Sequence, residues 1–110
     1  MPFEQLRERC AEAFGQEPFT FDCGPELVRS VGIVSGGAQS SFREAIEQGL
    51  DAFLTGEVSE HVMADAREGR INFIAAGHYA TETIGIRRLG ELVGERFGVR
   101  HEFIDVPNPI

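Results

Sequence analysis

"DAFLTGEVSEHVMADAREGRINFIAAGHYATET", residues 51–83, holds the pattern that decides the fold. The runs "DAFLTGE" and "INFIAAG" are short, apolar and broken by glycine, as buried strands are. "VSEHVMADAREG" between them has helical spacing, with Gly69 as its expected stop. "HYATET" then opens a second helical pattern that runs on through "IGIRRLGELVGERFG". Strand, helix, strand, helix through short connectors predicts parallel neighbouring strands covered by helices.

The flanks extend the alternation. "MPFEQLRERCAEAFG" places Phe3, Leu6, Cys10 and Phe14 on one helical face, with Gly15 beyond it. Cys10 on that stripe reads as a small buried hydrophobe. "PFTFDC" and "LVRSVGIV" are strand-like, and Phe42, Ala45, Ile46 and Gly49 mark another short helix. "VRHEFIDV" reads as a last strand before the tail "PNPI". The expectation is a single α/β domain over residues 1–110, with a largely parallel or mixed sheet flanked by helices.

Composition narrows the function classes. The formal charge of −8 disfavours a nucleic-acid partner, because a phosphate backbone requires a basic face. All ten basic side chains are arginine, so neither a Schiff-base lysine nor a P-loop lysine is present. No apolar run approaches the roughly 20 residues that span a bilayer. Two cysteines, Cys10 and Cys23, form neither a disulfide framework nor a zinc-ligand set. A cytoplasmic, reduced protein is expected.

Ligands in such folds gather at the carboxyl ends of the strands. Three strand-glycine-helix connectors qualify: "VSGGAQ", "LTGEVS" and "AAGHYA". They are expected along one edge of the sheet. On a helical wheel starting at His78, Glu82, Ile86, Leu89, Val93 and Phe97 fall within about 100° of it. The apolar stripe of the helix therefore begins with a histidine and a glutamate. A capping box does not explain them, since the residue three before Glu82 is Tyr79. Two readings stay open on spacing alone: a metal-ligating pair at i, i+4, or a structural His–Glu hydrogen bond. The helix N-terminus would favour a neutral imidazole at His78.

Other polar residues weigh less. Glu57 in "TGE" ends a neighbouring strand and could ligate or orient His78. His61 is expected on the solvent side of its helix, and His101 on an exposed strand. Asp105 either reaches the same edge or begins the turn into Pro107. "VSGGAQSS" lacks the spacing of a dinucleotide or P-loop fingerprint, so its glycines read first as a turn.

"GHYATETIGIRRL", with "DAFLTGEVSEH" and the terminal "FIDVPNP", resembles the carboxyl-terminal part of the NIF-three-like family, also known as type-two homologues of GTP cyclohydrolase I. The resemblance runs over nearly the whole chain. It implies that His78 and Glu82 bind divalent metal ions (zinc, manganese or iron), two per complete site, with one carboxylate bridging. It also implies two similar α/β layers and ring-like homo-oligomers. The family's remaining ligands, an adjacent His-His pair and an aspartate, lie in an amino-terminal half, and no His-His dipeptide occurs here. The chain therefore resembles a separated second half with an incomplete site. The functions implied are a metal-dependent hydrolase that needs its missing half or, alternatively, a non-catalytic, homo-oligomerising scaffold or interaction domain.

Overall fold

A computed structural model describes residues 1–110. Helix α1 (Phe3–Phe14) leads into β1 (Phe19–Phe21) and β2 (Val31–Ile33). A 3-10 turn (Gln39–Ser41) and α2 (Phe42–Glu47) precede β3 (Ala52–Thr55). Then come α3 (Val62–Gly69), β4 (Asn72–Ala75) and α4 (His78–Phe97). The sheet has the order β1-β4-β3-β2. β2, β3 and β4 are parallel, and β1 joins β4 antiparallel. The sheet is thus mixed and the class α/β, as the alternation of elements predicts.

Side-chain alternation divides the sheet into two cores. Phe53, Phe73 and Ala75 face α2 and α3, where they meet Phe42, Ala45, Val62 and Ala66. The Phe42 ring lies 5.6 Å from that of Phe53 and 5.1 Å from that of Phe73, centroid to centroid. Ala52, Leu54, Ile74 and Ala76 point the other way, onto Phe3 and Cys10 of α1 and onto Val28. Every residue of β3 and β4 is buried, as expected of central parallel strands covered on both faces. Cys10 is packed in the second core, and burial pushes its thiol pKa up. It is a core residue, as its place on the apolar stripe implies. No helix is long and apolar enough to cross a membrane.

Three expectations need correction. The segment "VRHEFIDV" forms no strand. Alternation is a local property, whereas a strand must also pair with a sheet edge; residues 98–110 leave the outer edges of β1 and β2 unpaired and instead run back along α4. His101 lies over Gly90 and Gly94, and the Arg87 guanidinium sits 4.1 Å above the Phe103 ring. Helix α3 begins only at Val62; it ends at Gly69 as expected, with Arg70 beyond it in the left-handed conformation (φ 51°). Gly69 also serves packing: a Cβ there would approach Ile46 to 2.9 Å.

The third correction concerns α4. Only Thr81 of its twenty residues is buried. Ile86, Leu89, Val93 and Phe97, the stripe expected to face inward, are exposed, Phe97 by 66%. The helix touches the body mainly through its first turns and lengthens the molecule to 49 × 26 × 24 Å. Helical periodicity shows that α4 has an apolar face; it does not show that this chain covers it.

Candidate functional site

The three glycine connectors do converge. Gly77 N–H donates to Gly56 O at 2.9 Å, and Gly56 N–H donates to Gly36 O at 2.8 Å. Backbone meets backbone at Gly56, where a Cβ would lie 2.6 Å from the Cα of His78. This row of peptides places the loops after β2, β3 and β4 side by side. His78, Glu57 and Glu82 project from that edge.

His78 stands between two carboxylates. Its Nδ1 is hydrogen-bonded to Glu57 Oε1, and its Nε2 lies 3.3 Å from Glu82 Oε1. An ionised carboxylate only accepts, so Glu57 selects the tautomer with the proton on Nδ1. The Nε2 lone pair of the neutral ring is then left facing Glu82. The hydrogen bond to Glu57, reinforced by the charge of Glu82, raises the His78 pKa above its ordinary 6.5. The two carboxylates thus act against the helix N-terminus, whose partial positive charge favours the neutral ring.

Two buried threonines that sequence reasoning overlooked fix the loop opposite. Thr81 Oγ1 accepts from Gly36 N–H at 3.0 Å, and Thr55 Oγ1 donates to Gly36 O at 3.0 Å. Thr81 lies between His78 and Glu82 in "GHYATE", yet it turns inward while they remain partly exposed. Its polarity on a buried helix face was the one signal that could have marked it.

The remaining candidates stand apart. His61 is exposed and pairs with Asp65 at 3.1 Å, and His101 is exposed. Asp105 accepts a hydrogen bond from Tyr79, which raises the phenol pKa. The tail thus returns to the residue after His78, and Tyr79 N–H donates to Ile110 O at 2.8 Å.

His78 Nε2 and Glu82 form a donor pair of the kind that divalent ions of the zinc, manganese or iron type accept. Gly36 keeps a side chain out of their way, since a Cβ there would lie 2.5 Å from Glu82 Oε1 and 3.2 Å from His78 Nε2. No three His, Cys, Asp or Glu side chains are grouped to hold an ion. Glu57 explains why: it occupies the other ring nitrogen, so it orients His78 and does not converge with Glu82.

The family model for Duf34/NIF3 (NGG1p interacting factor 3) matches residues 1–109. The chain belongs to the Duf34/NIF3 family. It is 50% identical over 98 residues to the GTP cyclohydrolase 1 type 2 homolog of Pseudomonas aeruginosa, covering 89% of this chain and 38% of that protein. The protein of the same name from Escherichia coli K12 is 50% identical over 110 residues, covering 99% of this chain and 44% of that protein. Among solved structures, protein ybgI, of unknown function, superposes with a TM-score of 0.93 at 43% identity. That match covers all of this chain and 45% of ybgI. TTHA1606 from Thermus thermophilus gives 0.89 at 32% identity, covering 99% of this chain and 44% of that one. The chain therefore spans less than half the length of these relatives.

Proposed function

We propose that this Duf34/NIF3 chain supplies one half of a divalent-metal site, with His78 Nε2 and Glu82 as its ligands and Glu57 as the group that orients the imidazole. The observation that carries this reading is the opposed pair of carboxylates on one histidine, Glu57 at Nδ1 and Glu82 at Nε2. Metal-binding histidines commonly have their second nitrogen held by a carboxylate in this way.

Two donors fall short of the three protein ligands usual at catalytic metals. The remaining ligands would come from the part of the family fold that this chain does not span. When bound, the ion supplies Lewis acidity for opening a ring or cleaving an ester, and the relatives' name points to a nucleotide-type substrate. His78 and Glu82 hold the ion, Glu57 holds His78, and the Gly36 loop keeps the space before them clear.

Equilibrium dialysis against zinc, which registers weak binding, tests the reading. Bound zinc that is lost in both His78→Ala and Glu82→Ala supports it. Zinc bound equally by all three proteins overturns it.

A second reading, a homo-oligomerising scaffold, rests on the exposed stripe of Ile86, Leu89, Val93 and Phe97. Contiguous apolar surface of this kind marks an interface more often than free surface. Association that persists with metal chelated, and that is lost in Leu89→Glu, favours it.

A further inference from the structure

We infer that Gly36 is the position that decides whether the His78–Glu82 pair can form and be reached by a cation. The choice of a divalent ion rests on the function proposed above; the steric argument does not.

Gly36 is buried and adopts φ +71°. Left-handed backbone alone does not explain its importance. Gly15, Gly49 and Gly98 have similar φ values of 70°, 67° and 65°, and a Cβ on any of them would meet nothing within 4 Å. At Gly36 the same atom would lie 2.5 Å from Glu82 Oε1, 3.4 Å from Glu82 Cδ and 3.2 Å from His78 Nε2. A methyl carbon there would crowd both donor atoms together.

The loop cannot step aside cheaply. Its peptide groups are held by Thr81 Oγ1 on the N–H and by Thr55 Oγ1 and Gly56 N–H on the carbonyl. Thr81 is anchored in turn by its bond to Gly77 O at 2.9 Å. What yields is the far end of the flexible Glu82 side chain, which must swing away from His78. Gly37 plays the corresponding part for the second carboxylate, since a Cβ there would come 3.3 Å from Glu57 Oε1. The double glycine that reads as a simple turn therefore faces all three polar side chains of the site.

The test is a stability cycle on the full chain with Gly36→Ala, Glu82→Ala and the double variant. Gly49→Ala serves as the control for left-handed strain without a collision. Gly36→Ala is expected to lower the melting temperature more than Gly49→Ala does. In the Glu82→Ala background most of that excess should disappear, because the colliding carboxylate is gone and only the 3.2 Å approach to His78 Nε2 remains. An excess that persists unchanged in that background overturns the inference. Zinc affinity, read by competition with a chromogenic chelator, should fall about 10–100-fold in Gly36→Ala and stay unchanged in Gly49→Ala, the range seen when a ligand's orientation is lost. Equal zinc affinity in wild type and Gly36→Ala overturns the gating role. Absence of zinc binding in the wild type overturns the metal reading, and the melting cycle still decides the steric one.

Discussion

Glu57 and His78, twenty-one residues apart in sequence, are joined at Nδ1 across the carboxyl edges of two adjacent parallel strands. The bond fixes which ring nitrogen carries the proton and turns the other toward Glu82. Glu57→Ala is predicted to weaken zinc binding about 10–100-fold by freeing the ring. Isothermal titration checks this. An unchanged affinity would mean that Glu57 is a bystander.

The raised His78 pKa has a sign that can be measured in two ways. The fold binds the imidazolium better than the unfolded chain does. This stabilisation is complete below the unfolded-state pKa near 6.5 and is lost as pH rises through the higher folded-state value. Unfolding curves of wild type and His78→Ala should therefore converge on going from acid to mildly alkaline pH. Zinc uptake should run the opposite way, weakening as pH falls, because the proton competes for Nε2.

Thr81 is predicted to act as a tether. Thr81→Val keeps the shape and removes the acceptor for the Gly36 N–H. Leaving that buried donor unpaired costs about 1–3 kcal/mol, measurable by urea unfolding. A cost within experimental error would show that the loop is held by Thr55 and Gly56 alone.

The outer face of α4 is predicted to matter for assembly and hardly at all for folding of this chain. Leu89→Glu should change unfolding free energy by no more than about 0.5 kcal/mol, since Leu89 is exposed. Phe73→Ala, in the core, should cost about 3–5 kcal/mol. Sedimentation velocity, alone and with the amino-terminal remainder of a family member, reads the effect of Leu89→Glu on association.

The legible parts of the structure were those set by local chemistry. The apolar runs of β3 and β4, the stop at Gly15 and the strand-glycine-helix punctuation each lie within a few residues, so alternation and the convergence of the three loops could be read directly. His78 and Glu82 were legible as a pair because i, i+4 spacing is also local. The clamp of Thr81 on Gly36 spans 45 residues and was not legible, nor was the exclusion of a side chain at Gly36. The segment at 99–106 misled because its alternation says nothing about whether the chain pairs with a sheet edge. The α4 stripe misled for the same reason: an apolar face specifies a partner without saying which chain provides it.

The most direct test is long-range nitrogen–proton NMR of the three histidines during zinc titration, a method that detects even the weak binding expected of two donors. Zinc should move the His78 Nε2 resonance while Nδ1 keeps its proton, with His61 and His101 unaffected. A shift at His78 Nδ1, or a response confined to His61 or His101, would contradict it.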